Sequence, residues 1–164
     1  MQSTKLQVPL IPQRPELPTG CEITAVTMML RYAGADVNKV DLAKEMPYDD
    51  DDCNKGFVGN PFTEDGNSIY PPALMKLVKK YAGNAINLSG KLIDDLADHL
   101  NKTGHPIAVW VGQFDGFHTH ALVVTGVDDS SVYYNDCWTN EKAALDKGDF
   151  VSNWSMKDRM ALSY

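Results

Sequence analysis

The apolar positions of this chain change period part-way along it. Ile23, Val26, Met29 or Leu30, and Ala33 fall at the spacing of one helix face. Directly before them, Thr19-Gly20-Cys21-Glu22 matches the Thr-x-x-Glu capping box. That predicts Thr19 as N-cap, Glu22 as its reciprocal partner and Cys21 in the second helical position. Gly34 is the predicted stop. A short helix is predicted from Val40 to Met46, ended by Pro47. Another begins after Pro71-Pro72 with Leu74, Leu77, Val78 and Tyr81 on one face. A further helix lies in "SGKLIDDLADHLNKTG", with Leu92, Leu96 and Leu100 inward and Gly104 at its end. Between these, "PYDDDDCNKGFVGNPFTEDGNSIYPP" is rich in turn formers and reads as a long loop, which in a compact domain is often functional. The later segments "PIAVWVGQ", "HTHALVVTGV", "SVYYNDCW" and "MALSY" are short, β-branched and aromatic, with turn signals such as Asp128-Asp129-Ser130 between them. Helices followed by consecutive strands predict an α+β domain with an antiparallel sheet.

Composition narrows the function class. The 164 residues are 43% hydrophobic and 23% charged, which suits one globular domain spanning 1–164 and argues against a disordered chain. A net charge of −7 argues against a general nucleic-acid binder, which needs a basic face. No stretch approaches the roughly 18 apolar residues of a membrane span. "MQSTKLQVPLIPQ" has one Lys and no long apolar core, so no signal peptide is predicted. The chain is therefore either cytoplasmic or an exported form without its signal. Cys21, Cys53 and Cys137 are too few for a disulfide scaffold. One catalytic thiol with Cys53 and Cys137 paired fits an exported enzyme, and three free thiols fit a cytoplasmic one. "YDDDDCNKG" fails as a calcium loop, because Lys55 falls where glycine is needed and Pro61 where the bidentate Glu belongs. No Cys-x-x-Cys or His-x-x-x-His predicts a metal site, no Gly-rich loop predicts phosphate binding, and no cofactor is expected. Trp110, Tyr133, Tyr134, Trp138 and Trp154 read as core or cleft walls.

Cys21 is the residue that invites chemistry. Unpaired N–H groups and the positive end of a helix dipole stabilise a thiolate, and a protonated imidazole adds to this. A small buried residue packing a helix start is the bland alternative. His99 sits on a polar helix face and is expected to be solvated, and His105 lies in a turn before a strand. His118 and His120 open the most hydrophobic strand and share a face with Leu122 and Val124. The next strand puts Val132, Tyr134 and Asp136 on one face. An odd-length loop around Asp128–Ser130 pairs even-numbered residues with even-numbered ones, and three loop residues put Asp136 one diagonal step from His120. An even-length loop puts them on opposite faces. A carboxylate beside the imidazole fixes its tautomer and stabilises the imidazolium.

"PQRPELPTGCEITAVTMMLRYAG", "GFVGNP", "YPPALMKLVKKYAG", "HALVVTGVD" and "YYNDCW" together resemble the bacterial cysteine peptidases related to the bacteriocin-processing, double-glycine-leader peptidases, within the papain-like superfamily. The resemblance runs from about Val8 to Tyr164. It implies a papain-like fold, with N-terminal helices on an antiparallel sheet. It also implies Cys21 as nucleophile, His120 as base and Asp136 as orienting carboxylate. The family's oxyanion-hole glutamine precedes its cysteine. Gln13 is the candidate, with Gln7 and Gln113 as alternatives. Trp138 corresponds to the tryptophan that often covers the orienting residue in papain-like enzymes, and is a candidate substrate contact. Cys137 stands where this family would have Pro.

The expected activity is thiol-dependent hydrolysis of peptide or related amide bonds through an acyl-enzyme. The expected partner is a peptide or protein substrate, with no nucleic acid and no integral membrane segment. Two alternatives stand beside it: a non-catalytic binding or regulatory module on the same fold, and an acyltransferase, which differs only in the acceptor.

Overall fold

A computed structural model describes residues 5–164. Helices α1 (Cys21–Tyr32), α2 (Lys39–Glu45), α3 (Pro71–Ala82) and α4 (Ile93–Thr103) alternate with little strand until β2 (Ile107–Phe114), β3 (Phe117–Val127) and β4 (Ser131–Asp136). A two-residue strand β1 (Ile86–Asn87), an edge strand β5 (Glu141–Asp146), helix α5 (Lys147–Ser155) and β6 (Ala161–Ser163) complete the chain. The six strands form one antiparallel sheet in the order β1-β6-β2-β3-β4-β5. No helix among the described residues is long and apolar enough to cross a membrane.

The centre of the fold is α1, buried at every residue from Cys21 to Leu30. A helix apolar on one face only could not be placed so deeply, and α1 has apolar residues on two. Cys21, Ala25 and Met28 join a core with Val109, Val111 and Leu122 of the sheet. Ile23, Val26, Met29 and Leu30 join a second core with Trp110, α2 and α3. Its two buried threonines are satisfied within the helix. The Thr24 and Thr27 hydroxyls donate to the carbonyls of Gly20 (2.8 Å) and Ile23 (2.7 Å), one turn back.

The predicted capping box does not form. Gly20 is the N-cap, with no side-chain cap bond, and Cys21 is the first helical residue, not the second. Thr19 instead donates to the carbonyls of Thr63 (2.8 Å) and Asn60 (3.3 Å), tying the long loop to the helix start. Glu22 is buried and accepts from Ser68 of the same loop. Leu92 is also corrected: it is the N-cap of α4 and 59% exposed, while Leu96 and Leu100 point inward as predicted. The irregular segment from Met46 to Tyr70 is anchored throughout. Tyr48 bridges to Phe57, Tyr70 N–H donates to Cys53 O, and the buried Trp110 indole donates to Ile69 O at 2.9 Å.

The β3–β4 hairpin has a register of its own. Val127 pairs with Val132 and Gly126 with Tyr133, an odd-with-even pairing. Beyond the turn the register shifts, and Val124 pairs with Tyr134 and Val123 with Asn135. Thr125 is the extra residue of a β-bulge. The pairing near the turn is thus the one that separates His120 from Asp136, and the bulge restores even-with-even pairing before either is reached.

Burial raises the Glu22 carboxyl from its ordinary 4.5 to about 7, against the Ser68 hydrogen bond, and its Oε1 has no partner. A carboxyl raised on folding binds protons more tightly in the folded chain. Its contribution to stability is complete below pH 4.5 and is lost as pH rises toward 7 and beyond. Glu22→Gln has no such loss. Its stability relative to wild type, measured by urea unfolding, should therefore climb between these pH values. A pH-independent difference would contradict the assignment.

Candidate active site

His120 leads the geometry. It lies on β3, is fully buried, and its Nε2 stands 2.9 Å from Asp136 Oδ1. Both neighbours of Nε2 are carboxylate oxygens, because Asp115 Oδ2 lies 3.3 Å away. Nε2 therefore carries the ring proton, and Nδ1, buried without a hydrogen-bond partner among the described residues, is the free acceptor. The ring lies near-parallel to Phe114 and Phe117, with centroids 6.1 Å and 5.4 Å away.

Asp136 ends β4 with its side chain 3% exposed. Oδ1 also accepts from the Trp138 backbone N–H at 3.0 Å. Burial alone would raise this carboxyl. Hydrogen bonds from His120, Asp115 and Trp138, with the attraction of His120, outweigh it and hold Asp136 at about 2. Trp138 itself is half-buried. It packs edge-on against Phe117 at 4.8 Å and lies beneath the Arg14 guanidinium at 3.8 Å.

Cys21 opens α1 where the helix N–H groups are unpaired: Thr24 N–H is the first to find a carbonyl in the chain, that of Gly20. Cys21 and His120 line one small cavity of ≈ 60 Å³, together with Gln13, Gly66, Asn67 and Phe117. The thiol differs from the expectation of a depressed pKa. Burial, followed by the Glu22 carboxylate and Cys137, pushes it well above its ordinary range. The helix N-terminus does not overcome this, so the thiol is neutral and needs a base to react.

Gln13 is buried in the same cavity. Its amide nitrogen donates to the carbonyls of Leu17 (3.2 Å) and Pro18 (3.1 Å), and its oxygen accepts from the Cys137 thiol at 3.1 Å. Cys137, in the place of the expected Pro, thus sets which end of the Gln13 amide faces which way. Gln7 and Gln113 are not brought to this cavity. Gln7 lines a separate groove, and Gln113 contacts the exposed His118 at 3.2 Å. His99 is corrected from solvated to half-buried, with Nε2 2.8 Å from Ser163 Oγ. All three cysteines are free, so the Cys53–Cys137 pair is not formed. His120, Asp136 and Cys137 place ligand-type atoms within 4.8 Å of one another. The His120–Asp136 bond and the Cys137–Gln13 bond already account for that closeness.

Three features were missed from sequence: Asp115, the Cys137–Gln13 contact and the Gly66–Asn67 wall. Asp115 sits at a hairpin tip, where an acid ordinarily marks a turn. Gly66 carried a signal only as a loop glycine. A Cβ there would collide with Thr19 Oγ1, so the wall can close this tightly only with glycine.

The comparisons with known proteins agree with this architecture. A model of the Peptidase_C39 like family matches residues 5–162. The uncharacterised protein YvpB of Bacillus subtilis is 32% identical over 90% of this chain and 70% of its own length. A candidate C39-like peptidase from Bacillus anthracis superposes with a TM-score of 0.90 at 32% identity, covering 100% of this chain and 98% of the other. Two more distant structures share the fold. The peptidase domain of Streptococcus ComA, a bi-functional ABC transporter involved in quorum sensing, gives 0.59 at 16% identity, over 93% of this chain and 94% of that one. The digestive procathepsin L2 of Tenebrio molitor gives 0.52 at 13% identity, over 98% and 66%. On a papain-like α+β fold, and matched over nearly its whole length, this chain belongs to the Peptidase_C39 like family.

Proposed function

We propose that this chain acts as one papain-like domain that hydrolyses peptide bonds, with Cys21 as nucleophile, His120 as base and Asp136 as orienting carboxylate. The observation that carries this reading is the imidazole. It is anchored through Nε2 at 2.9 Å from Asp136, while its other nitrogen is buried, unpartnered, and on a ring that shares a cavity with the thiol.

In the proposed reaction the Cys21 proton passes to His120 Nδ1 as Sγ attacks the substrate carbonyl carbon. Asp136 stabilises the resulting imidazolium without taking the proton. The oxyanion is held by the Cys21 backbone N–H and the Gln13 amide, which turns one hydrogen from the Pro18 carbonyl toward the substrate. The intermediate collapses, and the departing amine takes the proton from Nδ1. Water, deprotonated by the same nitrogen, then hydrolyses the thioester and regenerates the thiol. Coupling proton transfer to attack suits a thiol that burial keeps neutral.

A non-catalytic module is the second reading, favoured by one observation: both Gln13 hydrogens are engaged by backbone carbonyls. Labelling separates the two. A peptidyl epoxide of the papain-inhibitor type should modify Cys21, mapped by mass spectrometry, and His120→Ala should remove that label. Modification of Cys53 alone, or labelling indifferent to His120, would refute the catalytic reading.

Turnover of a peptide or ester substrate by purified variants, with folding checked by circular dichroism, tests the individual roles. Cys21→Ala should abolish covalent turnover. Asp136→Asn still offers an acceptor and should retain measurable activity, whereas Asp136→Ala should lose more. Full activity in Asp136→Ala would remove it from the site.

Gln13→Ala should lower kcat by about 10² to 10³ if its amide is an oxyanion donor. An unchanged kcat would leave the Cys21 N–H without that partner.

A further inference from the structure

Asp136 is not the only carboxyl at the imidazole. Asp115 and Gly116 form the two-residue turn between β2 and β3, five residues before His120, with φ of 52° and 85°, a geometry that Asp-Gly adopts readily. Asp115 Oδ2 comes to 3.3 Å from His120 Nε2, and its side chain is only 17% exposed. Asp136 Oδ1 lies 2.9 Å from the same nitrogen, so the two carboxyls share one N–H. Two like charges held this close to one N–H repel, and a proton shared between the two acids removes the repulsion.

We propose that Asp115 is a positioning residue of this site: with Asp136 it shares His120 Nε2 and stores one proton, so the charge facing the imidazole depends on pH. The inference rests on the proposed pairing of the Cys21 thiol with His120, and not on peptide turnover. The storage of the proton is a property of the two acids themselves.

The surroundings decide which acid holds the proton. Asp136 accepts from His120 and from Trp138 N–H, and both bonds favour its ionised form. Among the described residues, no backbone N–H donates to Asp115 as Trp138 N–H does to Asp136. Burial, the hydrogen bond to Asp136, and the charges of Asp136 and Glu141 raise it to about 7. The other titratable groups that interact with it are His120 on β3, Tyr134 on β4 and the Cys137 thiol. Below that pH, protonated Asp115 donates to Asp136 and the pair carries one negative charge. Above it, both are ionised, and the second charge favours transfer of the Cys21 proton to His120.

Two measurements test this, and neither requires turnover. In protein labelled with carboxyl-¹³C aspartate, the Asp115 resonance should titrate near pH 7 in wild type. It should move toward the ordinary carboxyl range in Asp136→Asn, where the neighbouring charge is gone. Titration of Asp115 near 4 in wild type would overturn the proposal. The second measurement separates charge from packing. The rate of Cys21 alkylation by iodoacetamide is compared in wild type and Asp115→Asn, which keeps a hydrogen-bond donor but cannot ionise. Their ratio should rise roughly tenfold between about pH 6 and pH 8, the lower end of what a charge this close does. A pH-independent ratio would mean that Asp115 only packs, and would overturn the proposal. If the hydrolase reading alone fails, no peptide is cleaved while both results above still appear.

Discussion

One inserted residue in β3, Thr125, determines which face of the sheet Asp136 occupies. Side chains alternate along a strand, so a shift of one residue in pairing moves every later side chain to the opposite face. From Val127 and Val132 at the turn, the unbroken register would set Asp136 opposite Val123, on the face away from His120. The bulge moves the register by one and brings Asp136 onto the His120 face, at 2.9 Å from its Nε2. The chain's N-terminal segment braces the same place. Leu6 N–H donates to the Thr125 carbonyl at 2.9 Å, and Asn135 Nδ2 donates to Val8 O at 3.0 Å. The His120–Asp136 bond depends on that register, whereas Asp115 reaches the same nitrogen from the β2–β3 hairpin.

The second determinant is how deeply α1 is held. Burial on nearly all sides brings its first residue to the cavity that the imidazole also lines, but it also removes water from the thiol. Two effects compete there. The helix N-terminus favours a thiolate by roughly 0.3–1 kcal/mol in ordinary settings, whereas burial of an unpaired charge costs several times more. Burial prevails, reinforced by Glu22, and the thiol stays neutral. On the proposed reading, the free imidazole nitrogen then matters more than the helix dipole, because it offers an acceptor for the thiol proton.

Around this pair, loops with little regular structure supply the walls. The Met46–Tyr70 segment contributes Gly66 and Asn67 to the cavity, and Thr19, Trp110 and Ser68 fasten it to α1 and the sheet. Arg14 stacks on Trp138 and donates to its carbonyl at 2.7 Å, so the segment before α1 and the segment after β4 close on each other.

The sequence by itself determined the elements whose periodicity is strong: α1, α3, α4 and the strands β2, β3 and β4, together with Cys21 at a helix start and the pairing of a histidine strand with an aspartate strand. β5 escaped because Glu-Lys-Ala-Ala-Leu-Asp has helical composition, and only pairing with β4 makes it a strand. The capping box escaped because Thr19 and Glu22 found better partners in a distant loop, Thr63 and Ser68, than in each other. Loop parity suggested the right face for Asp136 only under one turn length, and the bulge that decides it is hinted at by Gly126 alone, which does not say which residue is extra. Asp115, Cys137 and Gly66 became site neighbours only on folding. Local pattern records what each residue prefers against its chain neighbours. Register, burial and charge pairing are set by residues tens of positions away, and those contacts exist only in the folded chain.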